Sequence, residues 1–238
     1  MSESSATFPA VASDRPKIWP MYRALICVGV GCALVIVLVY EITRPIIRRN
    51  QLEFRSQAII EVLPEATKSA AFRLTDEGSF ESASADSEAA NLIFAGYNDQ
   101  DALVGLAIEA QGMGYADTIR VLYGYSFDSQ AIIGFRVLES LETPGLGDRI
   151  ETDEQFLSNF KSLDVRVAPD GDKLEHVIEF VKPGEKNSDW QIDGISGATI
   201  SSKAIAKMLS ESSAEWIPRV RAQRDDFSFT ETGESNGN

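Results

Sequence analysis

Residues 193–202 read Asp193-Gly194-Ile195-Ser196-Gly197-Ala198-Thr199-Ile200-Ser201-Ser202, a run of small and hydroxylated side chains between an apolar segment and a helical pattern. Gly194 and Gly197 open backbone conformations closed to other residues and allow a bulky group to approach the main chain. The helix that follows offers unpaired N–H groups and the positive end of its dipole, a ready site for a phosphate. On the residues alone three readings stand: a capping turn, since Ser and Thr are common caps; a phosphate site; or a threonine nucleophile. The last needs an adjacent base, which no His, Lys or carboxylate pattern here supplies.

Working outward, the pattern predicts a helix over 202–216, with Ile205, Met208, Leu209 and Trp216 on one stripe, and a short helix over 153–160 capped by Asp153. Strand signals rich in β-branched and aromatic residues fall at 91–97, 102–110, 118–125, 130–140 and 173–181. Two of them repeat: ALVGLAIE at 102–109 and AIIGFRVLE at 131–139. The repeat suggests two similarly built strands paired across a pseudo-symmetric sheet, or strands that simply look alike. In KLEHVIEF at 173–180, Glu175 and His176 point to opposite faces of a strand. The class is α+β, with an antiparallel or mixed sheet and short helices. Residues 76–91, DEGSFESASADSEAAN, and the tail from 228 hold too little apolar surface to pack, so the first reads as a mobile loop and the second as disordered.

The formal net charge of −14 over 238 residues excludes a nucleic-acid-binding role, which needs clustered Lys and Arg. Both cysteines, Cys27 and Cys32, lie in the most apolar stretch, so disulfides, thiolate-held zinc and iron–sulfur clusters are excluded from the rest. A single histidine, His176, excludes a multi-histidine metal site and reads as structural. Residues 24–40, ALICVGVGCALVIVLVY, carry no charge and suffice to span a bilayer, with Trp19, Tyr22 and Tyr40 as interfacial aromatics and Arg23 and Arg44 able to snorkel. No small-x-small cleavage site follows, so an uncleaved anchor in membrane lipid is expected rather than a signal peptide. Arginines and lysines flank both ends, and the positive-inside rule does not set the orientation. After the span, apolar residues recur at helical spacing until Pro64, a stalk helix leaving the membrane.

Asp193-Gly194-Ile195-Ser196-Gly197-Ala198-Thr199 resembles the flavinylation motif D-x-x-[ST]-G-A-T of the FMN-binding domain family without departure. That resemblance implies FMN joined through its phosphate to Thr199 by a flavin transferase that draws it from FAD, with Asp193, Ser196, Gly197 and Ala198 in the recognised motif. A second stretch, ETPGLGDRIET at 142–152, resembles the E-T-P-G-L-G-[DE]-[KR] loop of the RnfG subunits of Rnf-type electron-transport complexes. NqrC subunits of sodium-pumping quinone reductases share its first six residues. By itself the loop is a rigid turn opened by Gly145 and Gly147, or a plain hairpin loop. The resemblance places Glu142, Thr143, Gly145, Leu146 and Gly147 near the flavin. The Asp148-Arg149 continuation favours the RnfG type. Implied organisation is a cytoplasmic segment 1–23, a spanning helix 24–40, a stalk 41–64, a covalent-FMN domain 65–220 outside the cytoplasm, in the periplasm of a bacterial inner membrane, and an acidic tail 221–238. The implied role is electron transfer among other subunits of an ion-translocating complex. An NqrC-like role, or an anchored scaffold without flavin, are the alternatives.

Overall fold

A computed structural model describes residues 19–75, 77–84 and 92–228. The disordered tail expected after 228, the first 18 residues and the part of the 76–91 segment beyond 84 lie outside that set. The chain divides into two units, Met1–Asn50 and Gln51–Asn238. Through both runs α1 (Trp19–Val62), so the segments read separately as span and stalk form one continuous helix. Pro45 sits inside it and cannot donate to the preceding turn, while the Thr43 hydroxyl donates to the carbonyls of Val39 at 2.9 Å and Tyr40 at 3.2 Å. Among the described residues α1 is the helix long and apolar enough to cross a membrane. Pro64 ends it two residues after Val62, as a residue without an N–H does.

The second unit is built on a sheet of β1 (Lys68–Leu74), β2 (Phe80–Ala83), β3 (Leu92–Tyr97), β4 (Leu103–Met113), β5 (Thr118–Ser126), β6 (Ala131–Glu139) and β7 (Leu163–Asp164). Their order is β2-β1-β3-β4-β5-β6-β7, and every neighbouring pair is antiparallel. A separate parallel pair joins β8 (Glu179–Val181) to β9 (Gln191–Asp193). The helices are α2 (Glu154–Ser158) and α3 (Thr199–Ala222).

One face of the sheet packs on α3. The predicted stripe Ile205, Met208, Leu209 and Trp216 is buried with Ile108, Ile119, Val121 and Tyr123. The other face receives the last turns of α1, where Ala58, Ile59, Val62 and Leu63 pack on Phe94, Ala107 and Leu122. Burying such an aliphatic side chain contributes about 1.5–3 kcal/mol. The glycines of the repeated strands explain the repeat. A Cβ on Gly134, or on its cross-strand partner Gly124, would collide with the carbonyl of Val62, and one on Gly105 would collide first with the Tyr125 carbonyl of the neighbouring strand and sit 3.0 Å from Leu63 Cδ2. The glycines thus form the seat of the helix end.

Four expectations are corrected. The repeated strands, β4 and β6, are not paired with each other but flank β5. Within 76–91, read as a mobile loop, β2 forms, because the backbone can pair with β1 and Phe80 is buried against Trp216 and Phe227. Only Glu179–Val181 of the 173–181 segment is strand; upstream, the Glu175 amide donates to the Arg166 carbonyl and Leu174 bridges to Val167, so a loop takes those hydrogen bonds. The helix read over 202–216 begins at Thr199 and runs to Ala222, which carries it into the start of the 221–238 segment.

Candidate functional site

The 193–202 segment leaves β9 and enters α3 through a tight turn. The amide of Ala198 donates to the carbonyl of Ile195 at 3.1 Å, and Gly197 between them has φ +86°, the left-handed region that costs glycine least. Ser202 Oγ locks the turn to the helix, accepting from the Ile195 amide at 3.2 Å and donating to the Ala198 carbonyl at 2.8 Å. Ser201 Oγ donates to Glu142 Oε2 at 2.5 Å. These hydroxyls therefore face inward. The residue at the N-cap is Ala198, which makes no side-chain cap bond, so the first-turn amides of α3 lack the partner that a capping turn would supply. Thr199 is the first residue of the helix and is exposed. Among the described residues no hydrogen bond engages its hydroxyl.

The 142–147 loop is joined to this turn. The Leu146 amide donates to the Thr143 carbonyl at 3.1 Å across Gly145, whose φ is +78°. Glu142 is only 6% exposed, and its Oε1 accepts from the amides of Tyr115 at 2.8 Å and Ala116 at 3.0 Å while Oε2 takes Ser201. A Cβ on Gly147 would collide with Glu142 Oε2 and lie 2.9 Å from Ser201 Oγ, so the close approach requires glycine. Arg149 donates through Nη1 to the Ser196 carbonyl at 2.9 Å and through Nη2 to Asp153 Oδ2 at 2.6 Å. The Leu146 side chain comes within 3.9 Å of where a Cβ on Gly197 would stand. Thr143, Gly145 and Leu146 are exposed beside the turn, whereas Glu142 and Gly147 are buried beneath it.

Asp193 is also buried. Its Oδ1 accepts from the Gly184 amide at 2.7 Å and its Oδ2 from Gln155 Nε2 at 3.2 Å. The Asn159 amide brackets its backbone, Nδ2 donating to the Asp193 carbonyl and Oδ1 accepting from its N–H, both at 3.1 Å. Lys186 Nζ donates to the same Asn159 Oδ1 at 3.1 Å; burial pulls the Lys186 pKa below its usual value, against the opposing pull of Asp189 and Asp193. The Phe156 amide, and then Arg149, hold the Asp153 carboxyl below the usual range. His176 stacks on Trp190 with ring centroids 3.8 Å apart.

Sequence reading brought the two motifs together in principle but missed what joins them: Arg149, the Tyr115 and Ala116 amides, Gln155 and Asn159. Only Arg149 left a signal, its position in the loop motif. The residues present fit a tethered phosphate: an exposed hydroxyl on the first residue of a helix whose amino end is not capped by a side chain, beside a glycine at which an added Cβ would meet nothing nearer than 3.9 Å.

The FMN-binding domain family matches residues 114–213. The RnfG-type subunit of the ion-translocating oxidoreductase complex of Methanosarcina acetivorans is 30% identical over 197 residues, which are 83% of this chain and 93% of that relative. The corresponding subunit of the proton-translocating ferredoxin:NAD(+) oxidoreductase complex of Clostridium ljungdahlii is 23% identical over 83% of this chain and 91% of its own length. In fold, the chain is similar to NqrC of Shewanella oneidensis, with a TM-score of 0.59 and 17% identity over 74% of this chain and 99% of that one.

Proposed function

This chain belongs to the family of RnfG-type subunits of ion-translocating oxidoreductase complexes, with their FMN-binding domain, and from that premise we propose that it is a membrane-anchored electron-transfer subunit carrying FMN covalently on Thr199. The observation that carries the reading is the exposed Thr199 hydroxyl on the first residue of α3, where no side chain caps the helix. A phosphodiester there is favoured by the amides and the helix dipole. Attachment joins the Thr199 oxygen to the flavin-side phosphorus of FAD while the pyrophosphate bond breaks; AMP leaves and takes up the hydroxyl proton, with no change of oxidation state. A flavin transferase performs that step, with the Asp193–Thr199 turn as its target. Bound FMN supplies the reversible uptake of electrons, and the protein supplies position and tuning.

In this reading Gly197 and Ala198 shape the turn, Ser196 is fixed through its carbonyl by Arg149, and Asp193 orients the approach from β9. Thr143, Gly145 and Leu146 face the tethered group, while Glu142 and Gly147 hold that loop against α3. Partners are the other subunits of the complex and membrane lipid around α1, with the Gln51–Asn238 unit outside the cytoplasm, in the periplasm. The fold similarity to NqrC keeps an NqrC-like role as the second reading; co-purification with the remaining subunits separates the two. The covalent reading is tested by the intact mass of the chain coexpressed with a flavin transferase. The expected gain is FMN less water, lost in Thr199→Val; an unmodified wild-type chain under conditions that load a control acceptor overturns it.

A further inference from the structure

Large apolar side chains left exposed on the second unit after Pro64 are unevenly placed. Among the described residues they are Met113, Tyr115, Leu141, Leu146, Val177 and Ile200. All but Val177 belong to segments that meet on Glu142: the β4–β5 hairpin, whose Tyr115 amide donates to it, the loop that contains Glu142 itself, and the first turn of α3, whose Ser201 donates to it. Met113 is 70% exposed, and Tyr115 and Leu141 are each 67% exposed. The hairpin projects, because the pairing of β4 with β3 stops at Ile108 and residues 109–113 pair with β5. Apolar groups gathered at a projecting tip, unlike single ones scattered over a surface, mark an interaction site.

The end of α1 shows what lies within reach of that tip. Between Leu63, which lies against Gly105 in β4, and Arg55, whose Nε is 3.0 Å from Glu109 Oε1, the helix runs alongside β4 towards Met113. It therefore enters this unit at the end of the sheet that carries the patch. Upstream, Tyr40 closes the uncharged run 11 positions before Gln51, about 16 Å of helix. A unit held on so short a tether meets the bilayer surface at high effective concentration. The side chains suit that surface, since Tyr favours membrane–water interfaces and Met and Leu bury aliphatic length beneath them. A second copy fits worse: each chain carries a net charge of −14, and the exposed Asp117 and Glu139 border the tip and would face their own images.

We propose that the β4–β5 hairpin tip, with Leu141 beside it, is a membrane-docking surface: Met113, Tyr115 and Leu141 enter the interfacial layer of the bilayer in which α1 is anchored. The proposal rests on that anchoring and is independent of the flavin. Docking is apolar in origin, so zwitterionic lipid suffices for it. The Thr199 turn, which shares this end of the unit through Ile200, is then held close to the headgroups.

The test uses the full chain with Cys27→Ser and Cys32→Ser, expressed without transferase so that no flavin interferes, and carrying an environment-sensitive nitrobenzoxadiazole label on Tyr115→Cys. Ser129→Cys, in the exposed turn at the other end of β5, is the reference position. Each is reconstituted at one copy per phosphatidylcholine nanodisc, with nitroxide on the lipid headgroups or high on the acyl chains. The label at position 115 is expected to be quenched several-fold more strongly than that at position 129. Adding Met113→Asp and Leu141→Asp, both at exposed positions, is expected to remove most of that difference at an unchanged melting temperature. Equal quenching at the two positions overturns the docking. So does quenching at position 115 confined to discs that hold two copies, which assigns the patch to self-association, or burial of position 115 seen only in native membranes with the other subunits, which assigns it to a protein partner. A chain that does not incorporate into discs refutes the anchoring itself, so the two failures are distinct.

Discussion

Glu142 shows how much one carboxylate can organise: it holds the Tyr115 and Ala116 amides with one oxygen and Ser201 with the other, so three chain segments meet on it. Removing the acceptor strands the buried Ser201 hydroxyl and takes the partner from the part-buried Tyr115 and Ala116 amides. Glu142→Ala is therefore expected to cost about 2–4 kcal/mol, read as a lower denaturant midpoint at unchanged slope, with Glu142→Gln recovering part of it. A loss below about 0.5 kcal/mol would show that the joint is not under load. Thr199→Val is the opposite case. Its side chain is exposed, so stability is expected to stay within about 0.5 kcal/mol of wild type while covalent flavin disappears; fluorescence retained on a denaturing gel would falsify the attachment site. The candidate attachment residue was legible because a short motif states its chemistry in consecutive residues. The inward role of Glu142 was not, because its partners lie 27 and 59 positions away and hydrogen bonds at such separation leave no periodic trace.

At the scale of elements, the strands with strong β-branched runs and the apolar stripe of α3 could be read in advance, since alternation and helical spacing record which face is buried. The 173–181 segment misled because KLEHVIEF alternates like a strand, yet its upstream half pairs with the loop around Arg166. β2 was missed for the converse reason: FESA carries little apolar signal, and its neighbour β1 supplies the hydrogen bonds. The glycines under the end of α1 give the sharpest elemental prediction. Gly134→Val must displace the Val62 backbone and is expected to cost more than about 3 kcal/mol, enough to lower yield or abolish folding. Gly171→Ala, where φ is +82° but no atom lies within 4 Å, is expected to cost only about 1 kcal/mol of backbone strain. Equal effects of the two, measured by thermal melts of the Gln51–Asn238 unit in the full chain, would remove the helix seat as the explanation.

For the whole molecule, the buried tyrosines set an alkaline limit. Desolvation pushes Tyr97 up to about 12 and raises Tyr123 as well, so both favour the neutral phenol when folded. Because the folded value exceeds the unfolded one, their contribution is complete below about pH 10 and is lost as pH climbs towards 12. Tyrosinate absorbance from these side chains should appear together with unfolding, and early ionisation in a folded protein would contradict their burial. Topology is the second global expectation: alkaline phosphatase fused after Trp216 should be active, and an inactive phosphatase with a fluorescent GFP fusion at the same point would reverse the orientation.

The turn before α3 takes its shape from residues far away in the chain, with Arg149 on the Ser196 carbonyl, Glu142 on Ser201 and Gln155 on Asp193. A nascent or damaged chain carries the same letters without that shape. If Thr199 takes the flavin as proposed, loading would act as an inspection step: only molecules that have completed folding would be commissioned with a cofactor, and misassembled copies would stay electrically silent instead of leaking electrons to oxygen. Titrating denaturant into a mixture of apoprotein and transferase should stop flavin incorporation at the unfolding midpoint of the acceptor, whereas a short peptide of residues 190–203 should be a poor substrate.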